Sequence, residues 1–262
     1  MKYKNIEVQK KENFASIFLN RPDVHNAMNE ELMVELNSCF KKISKEKKIR
    51  AIVLTGKGKS FCAGADLNWM KSMAKYSIKE NIADSKILLN LYEEIYSCPK
   101  PVIARVNGHS FGGGIGLFAV CDIVIASNNC KFAFSEVKLG IIPAVISIYV
   151  VKRIGRSNMR RLFITGERFD SNYAKEIGLV DFVASEKEFD EVVKKYTDVF
   201  LSSGPNAIFE VKKLVDAYEK KDSTMYKKHT VKKISELRVS DEGQEGINAF
   251  LEKRKAKWSE QP

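Results

Sequence analysis

A carboxylate set among apolar neighbours is the first group in this sequence that could move a proton near neutral pH. Glu136 lies in FAFSEVKLGIIP, Phe132 to Pro143, between Phe132, Phe134, Val137 and Leu139. Apolar surroundings disfavour a charged carboxyl and raise its pKa toward the range where it serves as acid and base. The bland alternative is a surface glutamate behind Ser135 as a helix cap. Two further segments, SFCAGADL (Ser60 to Leu67) and NGHSFGGGIGL (Asn107 to Leu117), put small residues on turns after strands. Small residues let a bound molecule approach the main chain, so exposed N–H groups can donate to it. At Gly112–Gly114 the donors would also open a helix, where the dipole favours negative charge. Two such donors from separate loops would make an oxyanion hole. Equally, the glycines could simply let a helix pack closely on a strand.

Other signals suggest different chemistry and fail on detail. TGKGKS, Thr55 to Ser60, places Gly58, Lys59 and Ser60 as a phosphate loop does, but the pattern needs glycine where Val53 stands. Gly114 to Ala119 matches GxGxxA in form, yet DIVIAS ends at Ser127 without the acid a dinucleotide site requires. The five cysteines (Cys39, Cys62, Cys98, Cys121, Cys130) are odd in number and form no CxxC pair, and the three histidines have no ligand spacing. Reduced thiols and no metal site are expected. No apolar stretch approaches the roughly 20 residues of a membrane helix, and MKYKNIEVQKKENF lacks the apolar segment of a secretory signal. A cytoplasmic protein with no membrane partner is expected. The net charge of +11 favours anionic partners. Its densest run, KKISKEKKIR from Lys41 to Arg50, reads as a solvated helix end whose cations complement the dipole. Nucleic acid is the alternative partner, but no aromatics interleave with that run.

These groups need elements to hold them, and 262 residues suffice for a full core. Asn13 to Asn20 alternates as a half-buried strand with Ala15, Ile17 and Leu19 on one face. Asn29 to Ile43 has helical spacing, Ala51 to Thr55 reads as a strand, and VIARV after Pro101 is a second strand before the glycine-rich helix. Asp122 to Ser127 returns as strand, giving the order of an α/β core. Helical patterns then dominate: 145–154, 159–165, 171–177, 186–201, 205–220 and a last one around 246–257. The boundary falls near residue 200, with a core over 1–200 and a helical region over 201–262.

FCAGADL, VNGHSFGGGIGL, CDIVIAS, FSEVKLGIIPA and FLEKRK occur in that order. Together they resemble the crotonase (enoyl-CoA hydratase/isomerase) superfamily, over nearly the whole chain from LNRPDVHNAM to Lys255. The resemblance implies an α/β spiral of ββα turns and a helical C-terminal trimerisation region. It also implies a homotrimer or dimer of trimers, and an acyl-CoA thioester whose coenzyme A enters with the substrate, with no resident cofactor. Carried over by position, the oxyanion-hole amides are those of Ala65 and Gly113, and Glu136 is the second of the two glutamates of typical hydratases. Ala63 would lie near the CoA adenine, beside Gly64 and Leu67 in the substrate-binding set, and Asp66 would brace its loop. The Asp23–His25 turn, with Val24 and His25, would touch the CoA moiety. Gly112, Gly116, Pro143 and Ala144 complete the substrate-binding set in the core. Phe250 would contribute from the C-terminal region, with Lys253 as phosphate partner to a neighbouring subunit's CoA.

Two positions depart from the pattern. The first glutamate of the pair should follow GGGI, where this chain has Gly116, and Ala144 replaces a glycine whose amide could still serve. GADLNWM, FSEVKLGIIPAVIS and Gly116 look most like bacterial methylglutaconyl-CoA hydratases of leucine breakdown. That substrate carries a distal carboxylate, for which Lys138 or a residue near Tyr149 could supply a partner. One glutamate would also suit a Δ3,Δ2-enoyl-CoA isomerase, which shuttles a single proton. Some relatives of the methylglutaconyl branch are described as RNA-binding, and a CoA-binding scaffold without activity is a further alternative.

Overall fold

The computed structural model describes residues 3–11 and 13–260. The chain begins with two antiparallel strands, Ile6–Lys11 (β1) and Phe14–Leu19 (β2), with Ile6 opposite Leu19. Ala15, Ile17 and Leu19 are fully buried, as their alternation requires. Helix α1, Glu30–Ile43, starts at Asn29, whose side chain accepts from the Leu32 amide at 3.0 Å. Leu32, Met33, Leu36, Phe40 and Ile43 form its buried face. Lys41 and Lys42 stand exposed in its last turn, while the rest of the basic run follows the helix, and its last member, half-buried Arg50, donates to the carbonyls of Ser203 and Trp258 at 2.7 and 2.9 Å.

From there the chain steps repeatedly between two sheets. One circuit is β3 (Ala51–Gly56), β4 (Ser60–Cys62), then helices α2 (Leu67–Met73) and α3 (Ile78–Tyr96). The next is β5 (Val102–Val106), β6 (His109–Phe111) and α4 (Gly113–Ala119). The third is β7 (Ile123–Ser127), β8 (Lys131–Ala133) and α5 (Ala144–Thr165). After β9 (Phe169–Asp170), α6 (Ser171–Glu176) and β10 (Phe182–Ala184), the two sheets are complete. One runs β1-β2-β3-β5-β7-β10 and the other β4-β6-β8-β9. Among the described residues every strand pairing is parallel except β1 with β2 and β8 with β9. This is the spiral of ββα turns implied by the resemblance. Both faces of the larger sheet are covered, so all six residues of β3 are buried and its sequence, AIVLTG, is nearly all apolar.

The TGKGKS segment is a connection between β3 and β4 and opens no helix, so it is not a phosphate loop. Two asparagines hold it. Asn107 accepts from the Gly56 amide at 3.0 Å and donates to the Gly58 carbonyl at 3.0 Å. Asn26, fully buried, donates to the carbonyls of Lys57 and Ser60 at 2.9 and 2.8 Å. Beneath α4, Phe118 meets Phe61 and Phe132 edge-on, with ring centroids 5.9 and 5.6 Å apart. These aromatics fix the glycine-rich helix on the smaller sheet.

The remaining described residues form helices and their connections: α7 (Phe189–Ser202), α8 (Pro205–Lys220), α9 (Ser223–Arg238), α10 (Asp241–Leu251) and α11 (Lys257–Glu260). Several elements differ from the sequence expectation. Strands β1, β8, β9 and β10 and helices α2, α3 and α9 were not anticipated, and the last expected helix is divided between α10 and α11. Helices 145–154 and 159–165 run together as α5, interrupted by non-helical backbone at Gly155. Among the described residues no helix is long and apolar enough to cross a membrane, and no acidic, histidine and cysteine cluster could hold a metal. All five cysteines are free and buried.

Candidate active site

Three parallel strands of the smaller sheet bring the site together. β4 pairs with β6 (Ser60 with His109, Cys62 with Ser110), and β6 pairs with β8 (Ser110 with Phe132, Phe111 with Ala133). Their C-terminal ends therefore place the Ala63–Asp66 loop, the Gly112–Gly114 turn and Glu136 side by side. Close contacts confirm the fit: a Cβ at Gly64 would stand 2.9 Å from the Phe111 carbonyl oxygen, and one at Gly114 2.3 Å from that of Cys62. Gly64, at φ +95°, lies where a side chain is strained as well as crowded.

The first loop is held by a parallel bridge between Met28 and Ala65. In it the Met28 amide donates to the Gly64 carbonyl at 2.7 Å and the Asp66 amide to the Met28 carbonyl at 2.8 Å. Because neighbouring residues of a strand point opposite ways, this turns the Ala65 amide away from the bridge. It meets no acceptor among the described residues. Ala63 differs, since its amide donates to the His25 carbonyl at 3.0 Å. His25 has left-handed backbone and its Nδ1 lies 3.0 Å from the Ser60 hydroxyl, while Val24 is exposed in the preceding turn.

Asp66 ties its loop to α2 and to Arg21. Its Oδ1 accepts from the amides of Asn68 and Trp69 at 2.8 and 3.2 Å, capping α2, and its Oδ2 takes the Arg21 guanidinium at 2.9 Å. Arg21 also donates to the Ala27 carbonyl, so one cation ties both loops. Burial pushes the Asp66 carboxyl up, but the two amides and Arg21 outweigh it and hold its pKa below the usual value. Leu67, next in line, is 74% exposed.

On the second loop the Gly112 amide donates to the Ala133 carbonyl at 3.0 Å. Gly113 is the first residue of α4, and its amide, like that of Ala65, has no acceptor among the described residues. A Cβ at Gly112 would lie 2.7 Å from Oε1 of Glu136, so the absence of a side chain there leaves room for the carboxylate. Glu136 is half-buried, and its Oε2 is buried without a hydrogen-bond partner among the described residues. Burial raises its pKa above the ordinary carboxyl value, only partly offset by its own amide. Two amides without an acceptor among the described residues therefore stand on neighbouring loops, and the second of these loops adjoins the Glu136 carboxylate.

A profile of the enoyl-CoA hydratase/isomerase family matches residues 9–261. The chain belongs to the enoyl-CoA hydratase/isomerase family. It is similar to a crotonyl-CoA hydratase of Syntrophomonas wolfei, 32% identical over 260 residues that cover 98% of this chain and 99% of the relative. A mitochondrial enoyl-CoA hydratase of Pongo abelii is 32% identical over 246 residues, covering 94% and 83%. The crystal structure of an enoyl-CoA hydratase from Shewanella pealeana superposes with a TM-score of 0.95 at 36% identity, covering 98% of this chain and 96% of that one. The chain is thus an enzyme of the hydratase/isomerase family with the crotonase fold.

At Gly116 there is no empty space. A Cβ there would stand 2.4 Å from Cγ2 of Ile146, 2.7 Å from Cζ of Tyr92 and 2.8 Å from the Tyr92 hydroxyl oxygen. Ala144 is the first residue of α5, after buried Pro143, and its amide donates to the Ile142 carbonyl at 2.8 Å. That amide is therefore already engaged, contrary to the expectation that it could serve. Phe250, 82% exposed, and Lys253, in left-handed backbone, lie at the end of α10, which packs on α9 rather than on Glu136. Sequence reasoning missed Arg21, Tyr92 and Ile146. Arg21 was in view within LNRPDVHNAM, but its partner is 45 residues away. Tyr92 lies on α3, a helix announced only by Ser77 and Glu80, which form a capping box.

Proposed function

We propose that the enzyme adds water across the α,β double bond of an enoyl-CoA thioester, or removes it, with Glu136 as its one carboxylate. The observation that carries this reading is the pair of amides, Ala65 and Gly113, that meet no acceptor among the described residues and stand on neighbouring loops, the second of which adjoins the Glu136 carboxylate. The thioester oxygen would sit between the two amides. Glu136 would take a proton from water as the water oxygen bonds to the β-carbon. The resulting enolate, its charge on the held oxygen, would then accept that proton from Glu136 at the α-carbon. No proton is gained or lost overall. Each amide stabilises charge that exists only as the enolate forms, which is where binding accelerates a reaction. Coenzyme A arrives as part of the substrate, and no further cofactor enters the scheme.

Glu136→Gln keeps the shape and removes both proton transfers. Turnover is expected to fall by about 10²- to 10⁴-fold, with CoA-ester affinity within a few-fold of wild type. Wild-type turnover in that variant would sink the proposal.

The acyl group proposed is a branched one such as 3-methylglutaconyl, on the strength of GADLNWM, FSEVKLGIIPAVIS and Gly116. The cations suggested for its distal carboxylate have other neighbours: Lys138 lies along the Gly166 turn, and Lys152, beside Tyr149, pairs with Glu219 at 2.5 Å. Steady-state hydration of 3-methylglutaconyl-CoA beside crotonyl-CoA decides the matter, and a preference for crotonyl-CoA would remove the branched acid. The filled space at Gly116 favours one second reading, Δ3,Δ2-enoyl isomerisation. It differs by incorporating no oxygen from labelled water. For assembly we propose a homotrimer or dimer of trimers, supported by exposed Val211, Val215, Val231 and Ile234 on α8 and α9.

A further inference from the structure

We propose that Tyr92 is a positioning residue of the oxyanion pocket: its phenol fills the volume a side chain at 116 would need, and its hydroxyl holds Gly113 so that the Gly113 amide points at the thioester oxygen. The inference rests on the reading of that amide as an oxyanion donor.

The need for such a support follows from the sequence. Gly112, Gly113 and Gly114 form a run without Cβ atoms, the backbone with the greatest freedom to misalign. An oxyanion donor works only when its aim is held to within about 0.5 Å and 10–20°. Gly112 offers no side chain to cap α4. Two bonds take over that role from opposite sides. The Gly112 amide is tied to the Ala133 carbonyl at 3.0 Å, and the Tyr92 hydroxyl donates to the Gly113 carbonyl at 2.7 Å.

The tyrosine is itself fixed. It is fully buried, and its ring meets that of Tyr149 edge-on with centroids 6.1 Å apart. It can lie this close to α4 only because residues 113 and 116 lack side chains: Cβ atoms there would come 3.2 and 2.8 Å from the hydroxyl oxygen. Burial pushes the phenol well above its usual pKa, reinforced by Cys62, Glu136 and Tyr149, so the proton stays on and the group remains a donor. Being sealed from solvent, Tyr92 acts through Gly113 and does not itself touch substrate. The glycine at 116 and the tyrosine at 92 are thus two halves of one arrangement.

Tyr92→Phe keeps the ring and deletes the bond. It is expected to lower kcat about tenfold, less than the 10²- to 10³-fold seen when an oxyanion donor is removed outright, with KM within twofold. The decisive readout is the infrared carbonyl stretch of a ¹³C-labelled enoyl-CoA bound to Glu136→Gln and to Glu136→Gln/Tyr92→Phe. The band should be shifted from that of free ester in the first and move back toward it in the second. An unchanged band, or an unchanged kcat in Tyr92→Phe, overturns the role of Tyr92 while leaving the oxyanion donors in place. No shift in Glu136→Gln itself overturns the donor assignment and this inference with it. A conservative replacement, 3-fluorotyrosine at 92, retains both ring and donor and should hold kcat within twofold of wild type. A tenfold loss there would show that ring packing alone matters, and would refute the proposal even if Tyr92→Phe does not fold.

Discussion

Introducing a glutamate at position 116, Gly116→Glu, is expected to damage this enzyme and not to improve it. The first carbon of the new side chain would stand 2.4 Å from Cγ2 of Ile146, where carbons normally rest at about 3.5–4.0 Å. Ile146 must therefore retreat by more than about 1 Å, and Tyr92 must give way as well, an overpacking cost of about 1–3 kcal/mol. The carboxyl must also be neutral to sit there. Protonating a group of ordinary pKa near 4.3 at pH 7 costs about 4 kcal/mol. Better helix propensity returns about 1 kcal/mol, leaving a loss of about 4–6 kcal/mol against a typical domain stability of about 5–15. Urea unfolding at pH 7 and pH 5 reads this directly. The buried carboxyl would have a raised folded-state pKa, so its penalty is full at pH 7 and relaxes as pH falls toward the unfolded value. The deficit should shrink by roughly 3 kcal/mol between those two pH values. A Gly116→Glu protein with wild-type stability and faster hydration would refute the reasoning, because Tyr92 and Ile146 would then not be filling that space.

Glu136 also has a pH signature: its pKa is raised by burial, so kcat/KM should fall on the acid side with an apparent pKa above that of an ordinary carboxyl. The same shift makes its ionised form a stability cost, present above the folded pKa and vanishing below the unfolded one. Glu136→Gln should therefore melt higher than wild type at pH 8 and equally at pH 4, by calorimetry. Asp66→Ala removes a helix cap, at about 1 kcal/mol, and strands Arg21, whose side chain is 18% exposed. A fully buried broken pair costs about 3–5 kcal/mol; partial exposure and the Ala27 carbonyl bring the expected total to about 2–4, measured by urea midpoint. Since the folded pKa of Asp66 is lowered, its contribution is present above the unfolded pKa and lost as pH falls through the folded one. The Asp66→Ala difference should shrink in that window.

Much of the candidate site was legible in the sequence because its parts are local. Small residues on two turns and a glutamate amid Phe132, Phe134 and Val137 each carry their signal within a few positions. The strands β2, β3, β5 and β7 were visible for the same reason, through alternation or a short apolar run. What was hidden depends on pairing at a distance. α3 buries Asp84, Leu91, Tyr92 and Ile95, a narrow and interrupted stripe that weakens helical periodicity. α9 buries none of its residues within the chain, so nothing in its pattern contrasts one face with another. That Gly116 is glycine because a tyrosine 24 positions earlier presses on it could not be read from either residue alone.

The buried cysteines acquire meaning beside the proposed substrate. Cys62 precedes Ala65 by three residues and has no exposure; burial pushes its thiol up to about 12. At neutral pH the sulfur there stays a thiol, because burial disfavours the thiolate. A thioester is an activated acyl group, and a sulfur anion at hand would exchange it, stealing the acyl chain onto the protein. By keeping this sulfur protonated and walled in, the fold lets a thioester pass through without acyl transfer. The acyl chain then leaves on the same coenzyme that brought it.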